Sequence, residues 1–196
     1  MIKVGLTGNI GSGKTLVSEI FQVLRIPVYN ADTRAGAIME MPSVADPIIK
    51  IFDEDISSSQ GKPDKKKIAE IVFADKLKLE KLNKIIHPLV IADFELWMKE
   101  QKNVSYIIME SAILFETNYS SLFDKIIFVS APESLRLKRV MDRDGVDAEH
   151  IKNRILQQLP ENKKIKKADF VIFNNDRKAL IPQVLSIHEN LITLYP

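Results

Sequence analysis

The chain contains no cysteine. That excludes a disulfide framework, thiolate-bound zinc and thiol catalysis together, and it suits a reducing compartment. An excess of one charge is also missing: 28 lysines and arginines stand against 26 acids, a formal net charge of +2. A nucleic-acid partner would call for a dense basic face, so none is expected. No apolar run approaches the ~20 residues that a membrane span needs. No basic segment followed by an apolar stretch precedes the first strand, so no secretory leader is read. The expectation is a soluble, intracellular protein of one domain with room for an inserted lobe. Glycine is scarce, seven in 196 residues, yet four of the seven fall within residues 5–13.

That cluster leads into Gly8-Asn9-Ile10-Gly11-Ser12-Gly13-Lys14-Thr15, which fits G-x-x-x-x-G-K-[ST] at every fixed position. It lies after a strand-like run and opens a helical pattern, the context that the motif requires. Glycines let the backbone curl until successive N–H groups converge, and the helix start adds its positive dipole end. The natural occupant is a polyphosphate. The N–H groups of Gly11, Ser12, Gly13, Lys14, Thr15 and Leu16 form the cradle, Lys14 reaches the β- and γ-phosphates, and the Thr15 hydroxyl holds Mg²⁺. The dinucleotide pattern G-x-G-x-x-G fails, because counting from Gly11 its third glycine falls on Leu16.

Apolar runs alternating with helical periodicity predict an α/β fold with a parallel sheet. Strands are expected at 2–6, 26–29, 104–109, 125–129 and 170–173. Helices are expected at 14–24, with Val17, Ile20, Phe21 and Leu24 on one face, and at 177–191. Residues 32–102 carry helical patterns at 45–52, 65–73 and from 77 through 97, with one obvious loop at 55–64. This is how a substrate lobe is inserted into a nucleotide-binding core. A second helical segment fills 132–159.

A guanine-reading N-K-x-D is absent: Asn83-Lys84-Ile85-Ile86 lacks the aspartate. The chain is also short for a motor or helicase ATPase. A small-molecule kinase remains, and it needs an acid for the acceptor hydroxyl, a lobe for the acceptor and arginines over the phosphates. Asp32, just past the second strand, is either that acid or a helix cap. Glu110 ends a buried strand, where it can hold Mg²⁺ through water; Glu116 is a weaker candidate. Arg136, Arg139 and Arg143 share a helical face that reads as a lid or as a solvated surface, with Arg154 further along. Lys163, Lys164, Lys166 and Lys167 read as a solvated face. His87-Pro88 reads as a break between helices.

Taken in order, these residues resemble the dephospho-CoA kinase family from end to end. GLTGNIGSGKT resembles the family's opening, including Thr7. Asn30-Ala31-Asp32 resembles its D-A-D, and His87-Pro88 a pair in its CoA-binding lobe. ESAILFE resembles its D-x-P-L-L-F-E, LKRVMDRDG its lid, and ADFVIFNN its A-D-x-V-I-x-N beside the adenine. Asn30, Glu110 and Ala112 depart from the commoner Asp, Asp and Pro, and Gly36 stands where a basic residue is usual.

The resemblance implies a three-layer P-loop NTPase core at 1–31, 103–135 and 166–196. It implies a helical CoA-substrate-binding insertion at 32–102 and a lid at 136–165. It implies ATP, Mg²⁺ on Thr15 and Glu110, and phosphorylation of the ribose 3′-hydroxyl of dephospho-CoA in the last step of coenzyme A synthesis. Asp32 takes or orients the hydroxyl proton, Lys14 and Arg139 hold the transferring group, and Arg143 closes the lid. Asn174 lies on the nucleotide, while Thr7, His87 and Glu110 join Asp32 around the acceptor. A nucleoside or nucleotide kinase, or an NTP-binding switch, are the alternatives.

Overall fold

The computed structural model describes residues 1–52, 56, 63–145, 151, 155 and 158–194. Arg154 and most of the loop expected at 55–64 lie outside the described residues. Two compact units are present, one formed by Met1–Asn30 with Gln101–Pro196, the other by Ala31–Glu100.

The first unit is built on five parallel strands in the order β2-β3-β1-β4-β5. These are β1 (Ile2–Gly8), β2 (Val28–Asn30), β3 (Tyr106–Glu110), β4 (Lys125–Ser130) and β5 (Phe170–Phe173). Among the described residues, helices of this unit include α1 (Lys14–Val23), α6 (Glu133–Asp144), α7 (Glu161–Ile165) and α8 (Leu180–Leu194). Both faces of the sheet are covered. Along β4, Ile127 and Val129 join Val17 and Phe21 of α1 and Val184, Ile187 and Leu191 of α8. Ile126 and Phe128 point the other way, to Leu114, Phe115, Leu159 and Ile165. Burial on both sides is why β1, β3 and β4 read as continuous apolar runs rather than alternating ones.

Registry sets the strand ends level. Leu6 lies opposite Glu110, Asn30 opposite Glu110, and Ser130 opposite Phe173. Everything that follows the carboxyl ends therefore gathers along one edge, where open α/β sheets bind ligands.

Of the boundaries that shift from expectation, two have plain local reasons. β2 begins at Val28 rather than at 26. Arg25 takes a left-handed turn, Ile26 N–H still bonds back to Phe21 O, and Pro27 has no N–H to give the ladder. The last helix begins at Leu180 rather than at 177, because the Asn175 side chain accepts from the N–H groups of Arg177 and Lys178 and holds a turn there.

The second unit is helical: α2 (Ala31–Met39), α3 (Pro42–Ile49), α4 (Lys65–Ala74) and α5 (Lys76–Glu100). α5 packs against the other three and buries Leu82, Ile86, Val90 and Phe94 at four-residue spacing. Phe94 stacks on Trp97, ring centroids 6.0 Å apart. The break expected at His87-Pro88 does not occur, and α5 runs straight through it. Pro88 and Lys84, whose carbonyl loses its partner, are both exposed, so water replaces the missing bond and the helix continues. Half-buried His87 is held below the ordinary histidine range by desolvation.

Two charged side chains are inside, Lys164 where a solvated face was expected and Arg136 where a lid or a solvated surface was. Lys164 is fully buried, its Nζ 2.6 Å from Glu116 Oε1, and burial lowers its pKa against the opposing pull of that carboxylate. Arg136 is buried too. It shares its inward stripe with Val140, one turn on, and Nε donates to Ala131 O at 3.1 Å. Its guanidinium lies 3.8 Å from Glu161 and 3.7 Å from Glu133. Among the described residues no helix is long and apolar enough to cross a membrane.

Candidate active site

The loop between β1 and α1 bends on two glycines in the left-handed region, Gly11 (φ 76°) and Gly13 (φ 90°). Any side chain there would also collide: a Cβ on Gly11 would sit 2.5 Å from Arg136 O, and one on Gly13 would run into the Asn174 amide. Ser12 N–H closes the turn onto Asn9 O at 3.0 Å. The Lys14 ammonium folds back over the loop to Gly8 O, 3.0 Å away. The first N–H groups of α1 lack partners within the helix and open where the loop curls.

Beside the loop, Glu110 is 4 % exposed and gathers three neutral donors. Thr15 Oγ1 donates at 3.3 Å, Ser18 Oγ at 2.9 Å and Asn30 Nδ2 at 3.1 Å. A carboxylate this deep needs compensation for its charge, and a divalent cation at the Thr15–Glu110 edge would supply it. The donors are hard oxygens, as Mg²⁺ prefers. No cluster of three or more acids or histidines occurs among the described residues, but Mg²⁺ typically takes one or two carboxylates plus phosphates and water. The Thr7 and Ser12 hydroxyls are buried without a partner among the described residues, so the floor of the loop retains hydrogen-bonding capacity.

On the opposite flank, Asn174 follows β5 and grips the loop: its Nδ2 donates to Ser12 O at 2.8 Å. Arg139 of α6 reaches the same residue. Its Nη2 lies 3.3 Å from Asn174 Oδ1, 3.4 Å from Asn174 O and 2.6 Å from Asp176 Oδ1. Arg143, a turn later, is exposed and bonds its neighbour Asp144 at 2.6 and 2.9 Å, which raises its pKa. Under α6 lies a cleft of about 670 Å³ lined by Asn9, Pro132, Arg136, Gln158, Phe173 and Asn175, among others.

The sheet unit thus brings together Thr7, the loop from Gly11 to Leu16, Glu110, Arg139 and Asn174. Asp32 belongs to the helical unit, exposed in the first turn of α2 and two residues beyond the end of β2. His87 lies mid-way along α5. Within that unit Arg34 is held by Asp93 through two bonds of 2.7 and 2.5 Å. Beside Gly36, where a basic side chain is missing, stands the ammonium of Lys65 from α4. Ser18, Asn30 and Asp176 are contacts that the sequence reading did not assign. Only Ser18 left a signal, a polar residue on the apolar stripe of α1 beside Val17 and Phe21.

An all-parallel five-stranded sheet, a G-x-x-x-x-G-K-[ST] loop on its central strand, an acid ending the neighbouring strand and an arginine-bearing helix above define a P-loop kinase. The comparisons narrow the class. The family model described as dephospho-CoA kinase matches residues 2–179. A dephospho-CoA kinase of Fusobacterium nucleatum is 43% identical over 172 residues, covering 88% of this chain and 89% of that one. Among solved structures, a Thermus thermophilus protein superposes with TM-score 0.84 at 26% identity, covering 98% of this chain and 97% of that one. The dephospho-CoA kinase from Campylobacter jejuni gives TM-score 0.68 at 27% identity, with 96% of each chain covered. The chain belongs to the dephospho-CoA kinase family, the phosphotransferases of the last step of coenzyme A synthesis.

Proposed function

We propose that the chain transfers the γ-phosphoryl group of ATP to the ribose 3′-hydroxyl of dephospho-CoA, with Asp32 accepting the hydroxyl proton. The observation that carries this reading is the Thr15–Glu110 contact set against the Arg139–Asn174–Ser12 chain. Together they put a hydroxyl–carboxylate pair on one side of the phosphate loop and a guanidinium on the other, which supports the reading. The 3′-oxygen bonds to phosphorus, the bond from phosphorus to the β,γ-bridging oxygen breaks, and ADP leaves with that electron pair. Mg²⁺ held at Thr15 and Glu110 would supply charge neutralisation across the β- and γ-phosphates.

The protein's own groups do the positioning. The N–H groups of Gly11, Gly13, Lys14, Thr15 and Leu16 hold the polyphosphate while Ser12 N–H closes the turn, Lys14 follows the charge that develops on it, and Arg139 with Arg143 covers it from α6. Asp32 follows the end of β2 by two residues in the chain. The helical unit 31–100, with His87 and exposed apolar residues such as Leu89, takes the pantetheine arm, and Thr7 adds a contact at the loop. Binding energy from that remote arm fixes the reacting ribose. The absence of cysteine fits a cytoplasmic setting for this reaction.

The test is ADP release with a panel of acceptors. Dephospho-CoA should be phosphorylated, and its 3′-deoxy analogue should bind and inhibit without accepting phosphate. Adenosine should be a far poorer acceptor in turnover as well as affinity. Equal specificity constants for adenosine and dephospho-CoA would instead make the protein a nucleoside kinase. Slow NTP hydrolysis indifferent to every acceptor would make it a switch. In the same assay Asp32→Asn should cut turnover ~10²–10⁴-fold, the usual worth of a general base, with ATP affinity kept. A change of only a few-fold would leave Asp32 as a helix-start charge.

A further inference from the structure

Gln158 stands where three segments meet. Its Oε1 accepts from Ile10 N–H at 3.0 Å, and its Nε2 donates to Ala112 O at 3.3 Å. An N–H can only donate and a carbonyl can only accept, so these partners fix the orientation of the amide. Ile10 is at the tip of the phosphate loop. Ala112 is two residues past Glu110, in the turn that leaves β3. The anchoring continues along the chain after Gln158: Leu159 N–H bonds Glu116 Oε1 at 2.9 Å, and the buried Lys164 reaches the same oxygen. Residues 158–164 are thus pinned to the turn after β3, and from that fixed base a single side chain extends to the loop.

We infer that Gln158 is a positioning residue for the phosphate loop. It sets the gap between the tip of the loop and the strand end that carries Glu110. By taking up the Ile10 N–H, it also keeps that donor turned outward, so that the N–H groups from Gly11 onward are the ones that converge. Backbone donors aimed at a polyphosphate are useful only when the loop is held in shape before the ligand arrives. Gly11 and Gly13 make the loop able to bend and equally able to relax. Asn174 holds it at Ser12 O, and Gln158 holds it two residues earlier, from the other flank. The inference rests on the reading of this loop as the nucleotide phosphate site.

The test uses Gln158→Met in the full-length protein, which keeps the length of the side chain and removes both bonds. ADP affinity by titration calorimetry, KM for each substrate, kcat and the unliganded melting temperature are measured together. The expected result is an ADP Kd and an ATP KM raised about tenfold, the order of two lost hydrogen bonds, while KM for dephospho-CoA stays within twofold. A purely structural glutamine would lower the melting temperature and leave the ADP Kd alone, which overturns the inference. Equal weakening of both substrates overturns it too, since that reports general loosening. If the variant melts early, the titrations are run well below its transition and the ratio of the two affinities decides. Loss of the phosphate-site reading itself would appear separately, as indifference of turnover to replacing Lys14.

Discussion

Lys14→Met should abolish measurable phosphoryl transfer and leave the fold in place. The two consequences separate because the lysine's roles have very different magnitudes. In the protein alone its ammonium makes a hydrogen bond to Gly8 O, 3.0 Å away. A bond of that kind contributes about 1 kcal/mol net, which in a chain of this size moves the melting temperature by ~2–4 °C. Methionine retains the apolar stem and its packing. In the reaction, negative charge spreads over the γ-phosphoryl oxygens, and phosphoryl transfer offers the protein little to do beyond placing positive charge and donors around them. Loss of one such cation costs roughly 10³–10⁵-fold where it has been the dominant one. ADP release with dephospho-CoA, read beside a thermal melt, checks both halves. A folded Lys14→Met protein turning over at near wild-type rate would overturn the phosphate-loop reading and the proposed function with it.

The parts that were legible in the sequence are those in which neighbours in space are neighbours in the chain. The loop from Gly8 to Thr15 is contiguous, and its glycines carry conformational demands that no other residue meets as well. The strands of the sheet announced themselves because parallel pairing buries both faces. Glu110 could be picked out because it ends such a strand. Two of its partners could not be paired with it: Ser18, whose trace is only a polar residue on the apolar stripe of α1, and Asn30, brought by the β2–β3 pairing, lie at separations that no local pattern encodes.

Charge runs were the least legible feature. Lys163, Lys164, Lys166 and Lys167 look alike in sequence, yet α7 is only five residues long and turns one of them onto Glu116. Arg136 lies three residues from Arg139, but the first faces inward with Val140 while the second faces the loop after β5. A periodicity argument places residues on a helix; it does not say which stripe the tertiary contacts will bury. The unbroken α5 shows the same limit, since Pro88 interrupts one backbone bond on an exposed side and no more.

Arg139→Ala is expected to lower turnover on the order of 10³-fold, the scale of charge-stabilising arginines in phosphoryl transfer. The geometry gives this arginine two possible roles, and the kinetics distinguish them. It is tied through Asn174 to Ser12 O, so it can brace the loop. It also carries a buried Nη1 without a partner among the described residues, and a planar fork that suits phosphate oxygens. Its ion pair with Asp176 is a contact to an exposed side chain at 2.6 Å, a type usually worth less than about 1 kcal/mol, so γ-phosphate oxygens can compete for it. If bracing were all, Arg139→Ala would lower the melting temperature and weaken ATP binding while sparing kcat. If the guanidinium meets the transferring group, kcat falls with ATP affinity changed much less, and Arg139→Lys recovers only part, because it restores the charge without the fork. Arg143→Ala should cost less than Arg139→Ala, since Arg143 stands a turn further along α6 with its guanidinium bonded to Asp144. A kcat within a few-fold of wild type for Arg139→Ala would return α6 to a structural role and leave Lys14 as the cation on which transfer depends.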